Sequence, residues 1–338
     1  MRAAVLKEPG RLAIEEIPRP EPDPGEVLLR VRDCGICGSD LHAATHPVAG
    51  LPPGTIMGHE FSGEIAALGA GVDGWRVGEP AVSLPYMACG TCDACRGGDA
   101  MRCPAFRGIG LGQLPGAYAE YVRVHPASLL RIPDGVDFRT AALVEPLAVS
   151  LHGVRLAPVG HGTSCLIMGG GPIGLTTLLW CRALGALAVV SEPADGRAVL
   201  ARRLGAAATA DPRRESPVDR LRQVSGRDAE VVFECVGVRG TIGEALGHAC
   251  VRGTIVVLGA SMEPEEIFPL QALLKELTVR FALAYSKDEF AETLDALRAG
   301  RIDVTGLVTD VVGLPELPGA FEALLCPNAQ GKVLIEFP

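Results

Sequence analysis

The stretch Ser164-Cys165-Leu166-Ile167-Met168-Gly169-Gly170-Gly171-Pro172-Ile173-Gly174 places an apolar run directly before a cluster of glycines. Its first five residues predict a buried strand, and the apolar residues 175–184 that follow the glycines predict a buried helix. The turn between strand and helix has the spacing G-x-G-x-x-G. A strand, this turn and a helix in that order are typical of a dinucleotide-binding unit.

Each glycine of the turn has a physical reason in that unit. Gly169 permits the tight turn, Gly171 lets a pyrophosphate approach the backbone, and Gly174 lets the helix pack against the strand. The helix N-terminus then faces the phosphates. The whole turn, with Pro172 and Ile173 between the glycines, is therefore predicted to contact the cofactor.

A carboxylate at the end of the next predicted strand bears on the choice of cofactor. Residues 188–191 read as a strand that ends at Glu192, twenty-three residues after Gly169. A carboxylate at this separation in sequence can accept hydrogen bonds from a ribose diol, whereas it would repel a 2′-phosphate. The sequence therefore favours NAD over NADP, and Arg197 leaves NADP open as the alternative.

Strands and helices continue to alternate for about 130 residues after the first unit. Residues 231–237 and 254–259 are apolar runs that end in Gly237 and Gly259. This alternation predicts a doubly wound parallel sheet. The two glycines suit a flat ring lying against the backbone, but each taken singly could equally be a turn residue.

Length and composition indicate a folded chain of two domains. The chain has 338 residues, of which 48% are hydrophobic and 21% charged, so no part of it is expected to be disordered. Its formal net charge is −9, and no basic run with interleaved aromatic residues is present. Nucleic acid is therefore not expected as a partner.

The chain is expected to be soluble and cytoplasmic. Charged residues interrupt the N-terminus before a signal peptide could form. Residues 162–181 carry no formal charge, but the run Gly169-Gly170-Gly171-Pro172 would interrupt a membrane-spanning helix, so no membrane association is expected. In a reducing compartment the eleven cysteines are not expected to form disulfides.

Four of these cysteines lie within fifteen residues of one another. Cys89, Cys92, Cys95 and Cys103 are separated by two, two and seven residues in a glycine-rich segment. Four thiolates at such spacings can surround one tetrahedral zinc ion, and a closed shell leaves no position for substrate. The segment is thus predicted to hold a structural zinc, the alternative being four unligated thiols.

A second set of metal-type side chains is spread along the sequence. It comprises Cys37, the neighbouring pair His59 and Glu60, and the distant Glu145. One thiolate, one imidazole and one or two carboxylates form the mixed set that a catalytic zinc uses when a position stays open to substrate. Spacing alone does not show that these residues converge.

With these residues in view, the chain resembles the zinc-dependent medium-chain alcohol dehydrogenases, and among them the sorbitol and threonine dehydrogenases. The resemblance extends from Gly25 to Leu334. It is carried by the four-cysteine segment, the glycine-rich turn and the short motifs Cys37-Gly38-Ser39-Asp40, Gly58-His59-Glu60, Glu145-Pro146-Leu147-Ala148-Val149 and Ser191-Glu192-Pro193.

The resemblance implies a division of the chain into two domains. A mostly β GroES-like catalytic domain would comprise residues 1–147, with the zinc lobe at 86–106. A Rossmann NAD-binding domain would follow at 148–286, and residues 287–338 would return to the catalytic domain. A homodimer or homotetramer is also implied.

Roles for individual residues follow from the same resemblance. Cys37, His59 and Glu60 correspond to ligands of the catalytic zinc, and Glu145 to a carboxylate that exchanges with water at that ion. Ser39 would accept the substrate proton and His42 would end the proton relay. Asp40 would orient His59. Whether Glu60 or Glu145 completes the resting zinc shell is left open.

These roles imply two zinc ions per chain and hydride transfer between a secondary alcohol and NAD, giving the ketone. The alcohol could be a polyol, cyclitol, sugar or amino alcohol, and the sequence does not choose among them. Two alternatives are a zinc-free quinone or enoyl reductase, which would not need the zinc residues, and a non-catalytic zinc and NAD sensor, which would not need Ser39 and His42.

Overall fold

The structure is a computed structural model, and it describes residues 1–46, 50–326 and 329–338. Within these residues the strands are β1 (Arg2–Glu8), β2 (Arg11–Glu16), β3 (Val27–Gly35), β4 (Glu60–Leu68), β5 (Pro80–Ser83), β6 (Tyr86–Met87), β7 (Arg107–Gly108), β8 (Tyr121–Val124), β9 (Leu129–Arg131), β10 (Ser164–Met168), β11 (Leu187–Ser191), β12 (Ala208–Ala210), β13 (Ala229–Glu234), β14 (Ala249–Val257), β15 (Thr278–Phe281), β16 (Val308–Gly313) and β17 (Lys332–Glu336).

The α-helices of the same residues connect or flank these strands. They are α1 (Gly38–Thr45), α2 (Asp93–Arg96), α3 (Phe138–Ala142), α4 (Val144–Arg155), α5 (Pro172–Ala183), α6 (Asp195–Arg203), α7 (Pro217–Ser225), α8 (Thr241–His248), α9 (Pro269–Leu274), α10 (Lys287–Arg298) and α11 (Leu317–Leu324).

The nucleotide half is built on a six-stranded parallel sheet with the order β12-β11-β10-β13-β14-β15. Alternate residues of β10 pack into different cores, since Cys165 and Ile167 contact the cluster that contains α4 and α5 while Leu166 and Met168 contact the one that contains α7 and α8. Helices therefore cover both faces, and the predicted doubly wound sheet is confirmed. The strand order reverses between β10 and β13, where such sheets bind their ligands.

The other half is mostly β, as predicted. Its main sheet has the order β16-β17-β3-β4-β5-β9, with β8 also pairing with β3. The C-terminal strand β17 runs antiparallel to β3, with Leu334 opposite Gly35. A separate apolar core lies on this sheet and contains Phe61, Tyr118 and Phe321.

The connection between the halves runs through a continuous helix. α4 begins at Val144 and ends at Arg155, so it spans the proposed domain boundary after residue 147. The helix packs against α5 and α10. Because α4 is continuous across residue 147, it does not mark a boundary there, and the domain limits at residues 147 and 286 remain a prediction.

None of the helices in the described part of the chain is both long enough and apolar enough to cross a membrane.

Candidate active site

Three of the predicted metal ligands come together at the end of β3. β3 and β4 pair so that Gly35 lies opposite Glu60, and Cys37 follows two residues later as the N-cap of α1. The potential ligand atoms of Cys37, His59 and Glu60 all lie within 4.8 Å of one another. A Cβ atom on Gly35 would lie 2.0 Å from Glu60 Oε2, so only glycine fits opposite this carboxylate.

Asp40 fixes the orientation of the imidazole in this set. His59 Nδ1 lies 3.1 Å from Asp40 Oδ1, which leaves Nε2 directed toward the site. Asp40 is buried and also accepts hydrogen bonds from the Tyr118 hydroxyl at 2.6 Å and the Cys37 amide at 3.1 Å. Burial works to raise the pKa of Asp40, but His59 and these hydrogen bonds hold it below its ordinary value. The carboxylate is therefore kept ionised, as a group that orients a metal-binding histidine should be.

Ser39 lies beside the ligand atoms. Its Oγ is 3.2 Å from Cys37 Sγ and 3.4 Å from His59 Nε2. His42 lies three residues further along α1, which places it on the same side of the helix as Ser39. The hydroxyl is thus in the position from which it could exchange a proton with a molecule bound at the three-ligand set.

Glu60 has a partner that the sequence analysis missed. The ammonium group of Lys332 donates to both carboxylate oxygens, at 2.7 and 2.6 Å, and to the Ile36 carbonyl at 3.1 Å. Lys332 is 1% exposed. A lysine at the start of the apolar run Val333-Leu334-Ile335 was the signal available in the sequence, since a buried lysine needs an anionic partner.

Glu145 lies outside the three-ligand set. It is in the first turn of α4, it is buried, and its Oε1 accepts a hydrogen bond of 2.9 Å from the Tyr285 hydroxyl. Burial raises the pKa of Glu145 to about 7, and the nearby His59 acts in the opposite direction. Tyr285 stacks on Phe290 with 5.5 Å between ring centroids. Tyr285 is a second residue that the sequence analysis missed.

The four cysteines of the predicted lobe also converge. The sulfur atoms of Cys89, Cys92, Cys95 and Cys103 lie within 4.8 Å of one another. Backbone amides point at these sulfurs, from Cys92 to Cys89 and from Cys95 to Cys92, both at 3.4 Å. Hydrogen bonds from the backbone lower the pKa of Cys89 to about 6. The lobe thus offers four thiols of which at least one ionises readily.

The glycine-rich turn and its carboxylate occupy one end of the parallel sheet. Gly169 has φ +91°, and a Cβ atom on Gly174 would lie 1.9 Å from the Gly169 carbonyl oxygen. Glu192 is 6% exposed and accepts the Gly170 amide at 2.8 Å through Oε2 and the Ala194 amide at 2.8 Å through Oε1. This places a buried negative charge directly beside the turn.

The remaining predicted cofactor residues surround the same turn. Arg197 Nη1 lies 3.8 Å from the position of a Cβ atom on Gly171, and its Nε donates to the Gln330 carbonyl at 3.2 Å. Gly171 is the N-cap of α5, with Pro172 and Ile173 in the first turn. Gly237 and Gly259 lie in adjacent loops beyond β13 and β14, where a Cβ atom on Gly259 would be 2.3 Å from the Gly237 nitrogen.

Two family models and several known dehydrogenases match this chain. The family model of the alcohol dehydrogenase GroES-like domain matches residues 23–134, and that of the zinc-binding dehydrogenases matches residues 172–299. A sorbitol dehydrogenase of Bacillus subtilis is 30% identical, over 99% of this chain and 97% of its own. A 2-dehydro-3-deoxy-L-galactonate 5-dehydrogenase of Pseudoalteromonas atlantica is 36% identical, over 93% of this chain and 92% of its own.

A solved structure has the same fold over nearly the full length of this chain. A zinc-binding dehydrogenase from Sinorhizobium meliloti bound to NADP is 32% identical, covers 99% of both chains and superposes with a TM-score of 0.88. Identity at this level over nearly the full length, together with both domain matches, confirms the resemblance. The chain belongs to the zinc-dependent medium-chain alcohol dehydrogenase family.

Proposed function

We propose that this protein oxidises a secondary alcohol of the polyol, cyclitol, sugar or amino-alcohol class to the ketone, with NAD as hydride acceptor. The observation that carries the proposal is the convergence of Cys37, His59 and Glu60 next to the Ser39 hydroxyl. Its setting in an alcohol dehydrogenase fold and the sorbitol dehydrogenase relative support it.

Two zinc sites are part of the proposal. The first would be held by Cys37, His59 and Glu60, which fit zinc because they combine a thiol, an oriented imidazole nitrogen and a buried carboxylate. Glu145 would reach the same ion as an exchanging ligand. The second site would be held by Cys89, Cys92, Cys95 and Cys103, whose convergence supports a closed thiolate shell.

The chain's own residues would carry the proton transfer. Ser39 accepts the proton of the substrate hydroxyl, and His42, one turn along α1, is the next acceptor toward solvent. Asp40 keeps the His59 ring in place through the 3.1 Å contact to Nδ1. When bound, zinc supplies stabilisation of the negative charge that develops on the alcohol oxygen.

The preference for NAD is supported by Glu192. Its carboxylate is buried at the end of β11, next to the glycine-rich turn, where a 2′-phosphate would meet its negative charge. Arg197 lies close to Gly171 at the start of α5 and interacts electrostatically with Glu192, so it is the cation that a 2′-phosphate would meet if NADP binds. The Sinorhizobium relative bound to NADP makes the NADP alternative worth measuring.

We also propose a homodimer formed through β15. This strand ends the parallel sheet, all four of its residues are exposed, and Phe281 is 69% exposed. Exposed apolar side chains continue on either side, with Leu274 at 71% and Leu283 at 77%. An exposed edge strand flanked by apolar side chains is a surface on which a second copy can pair symmetrically, and a tetramer would need a further interface.

The cysteines bear on where the protein works. All eleven are free, including the four that we propose as zinc ligands. Unpaired thiols require a reducing compartment, which supports a cytoplasmic location.

The proposed function is tested by zinc analysis and a substrate panel. The purified protein should contain two zinc ions per chain and reduce NAD with at least one secondary alcohol, read by NADH absorbance. His59→Ala should lose one zinc and nearly all turnover but still bind NADH, because the nucleotide half has its own sheet and cores. Full activity of His59→Ala after exhaustive chelation would disprove the mechanism.

A further inference from the structure

Glu234 is a buried carboxylate at the cofactor end of the parallel sheet that the mechanism above does not use. It is the last residue of β13 and is 1% exposed. Its side-chain Oε1 accepts hydrogen bonds from the amides of Val236 at 2.8 Å and Gly237 at 2.9 Å. A buried carboxylate with two amide donors is a strong, charge-assisted anchor for the loop that carries those amides.

The same residue also anchors the neighbouring loop. The backbone carbonyl of Glu234 accepts the amides of Leu258 at 2.8 Å and Gly259 at 3.0 Å. Its side-chain Oε2 lies 2.5 Å from the position of a Cβ atom on Gly259. One residue therefore holds the loop after β13 and the loop after β14 against each other.

The two loops touch without room for side chains. A Cβ atom on Gly237, whose φ is +71°, would lie 2.6 Å from the Ala260 nitrogen. A Cβ atom on Gly169 of the glycine-rich turn would lie 3.1 Å from Val236 Cγ2. The pair of loops thus directly adjoins the turn that we assign to the pyrophosphate.

The position of this pair in the sheet indicates which part of the dinucleotide it faces. Glu192, which we assign to the adenosine ribose, follows β11, on one side of β10. Glu234 ends β13, on the other side of β10, across the point where the strand order reverses. A dinucleotide spans this crevice, so the half opposite the adenosine, which carries the nicotinamide, lies toward β13 and β14.

We propose that Glu234 is a positioning residue for the nicotinamide half of the cofactor. Its carboxylate accepts hydrogen bonds from the amides of Val236 and Gly237. These bonds set the distance between the two loops and the shape of the backbone surface against which the ring packs. It acts through the loops rather than by contact with the cofactor. The proposal rests on the proposed function, because it assumes that the crevice takes a nicotinamide dinucleotide.

The chemistry of the contact explains why a carboxylate is needed. Val236 and Gly237 present two N–H donors to one oxygen. Glutamine keeps the shape of glutamate and one oxygen that can accept both amides, but it removes the negative charge that strengthens these bonds and places an NH₂ donor where the second oxygen was. Glu234→Gln should therefore loosen the loops while retaining the volume of the side chain.

The test compares two ligands that differ only at the nicotinamide end. NADH and ADP-ribose share the adenosine and the pyrophosphate, and ADP-ribose lacks the nicotinamide. In the full-length, zinc-loaded protein, Glu234→Gln should weaken NADH binding by roughly tenfold or more, because both hydrogen bonds to the loop after β13 lose their charge assistance. ADP-ribose binding should stay within about twofold of wild type. Both dissociation constants are measured by isothermal titration calorimetry.

Two further variants keep the result interpretable. Glu230→Gln is the matched control, because Glu230 lies on the same strand at its opposite end and accepts the Ser164 amide at 2.8 Å, so neither ligand should be affected. Glu234→Asp keeps the charge but shortens the reach to the Val236 and Gly237 amides, and should reproduce the selective loss of NADH. It provides the same test if Glu234→Gln does not fold.

The outcomes separate the two proposals. Equal losses of NADH and ADP-ribose in Glu234→Gln, or no loss of either, would overturn the assignment of Glu234. If the wild-type protein binds neither ligand, the proposed function itself fails. A selective loss of NADH supports both, since a general loss of fold would reduce the affinity for both ligands.

Discussion

The buried carboxylates around the candidate active site have different hydrogen-bond partners, and a cationic partner favours the ionised form of a carboxylate. Glu60 is paired with an ammonium group, Asp40 with an imidazole and a phenol, and Glu145 with a phenol only. Burial raises the pKa of Glu145 to about 7, because it outweighs the opposing effects of His59, Tyr285 and Lys332. One buried glutamate, Glu60, is thus paired with an ammonium group, whereas another, Glu145, has a pKa of about 7.

The proposed preference for NAD depends on Glu192. Glu192→Ala removes its charge and its hydrogen bonds to the Gly170 and Ala194 amides. We expect weaker NAD binding and a smaller ratio of NAD to NADP in kcat/KM. Glu215→Ala, an exposed carboxylate in a nearby loop, should leave that ratio as it is. An unchanged ratio in Glu192→Ala would show that another residue selects the cofactor.

Asp33 should make the stability of the protein depend on pH. It is 5% exposed, its Oδ1 has no hydrogen-bond partner, and the Arg139 Nε is 3.8 Å away. Burial raises the pKa of Asp33 to about 7, Arg139 and Arg32 act to lower it, and Glu336 and Asp137 act to raise it. Between about pH 4 and pH 7 the unfolded chain releases this proton while the folded chain keeps it. Stability is therefore reduced as pH rises through this range, and the reduction is complete above it.

Replacing Asp33 by Asn should remove this effect. Asp33→Asn should raise the Tm by about 2 °C or more at pH 8 and by less at pH 5, measured by differential scanning calorimetry. Asp310→Asn, at an exposed position of β16, is the control and should behave alike at both pH values. An equal gain at pH 5 and pH 8 would exclude the titration of Asp33 as its cause.

The boundaries of several elements depend on side-chain hydrogen bonds and on proline rather than on hydrophobicity. The predicted helix at 175–184 begins three residues earlier, at Pro172, because proline fits the first turn and Gly171 forms the N-cap. The predicted strand at 231–237 ends at Glu234. The Glu234 carboxylate accepts hydrogen bonds from the amides of Val236 and Gly237, so these amides do not pair with a neighbouring strand. Apolar runs located these elements, but local polar contacts set where they begin and end.

We expect the four-cysteine lobe to depend on the proposed zinc ion for its fold. Its helix α2 has four residues, none of them buried, so apolar packing contributes little to it. Cys95→Ser should release one zinc per chain and lower the Tm by several degrees, with some activity left in the folded fraction. Cys250→Ser, outside the lobe, should keep both ions. Two zincs per chain in Cys95→Ser, measured by mass spectrometry, would contradict the structural site.

At the scale of the whole molecule, the active site depends on contacts between distant parts of the chain. Lys332 and Glu60 are 272 residues apart in sequence, and they meet because β17 returns to pair with β3. Tyr285 and Glu145 are 140 residues apart. The proposed active site is therefore supported by residues near the end of the described chain as well as by its first third.

The assembly should depend on the exposed edge of the nucleotide sheet. Wild-type protein should elute as a dimer or a larger species in size-exclusion chromatography with light scattering. Phe281→Lys should shift it to the monomer, because it replaces an exposed apolar side chain of the proposed interface by a charge that would be buried against the second copy. Val77→Lys is the control, since Val77 is 65% exposed outside this edge. A dimer that persists in Phe281→Lys would place the interface elsewhere.

The sequence alone was sufficient for the fold class and the family, because both depend on local patterns. The glycine-rich turn, the alternation of apolar runs and the four closely spaced cysteines act within a few tens of residues. The tertiary structure alone decided which side chains share one site. Strand pairing places Gly35 opposite Glu60, while Glu145 contacts Tyr285 and lies outside the set of Cys37, His59 and Glu60. Such contacts form between residues far apart in the chain, and no local pattern specifies the distance between them.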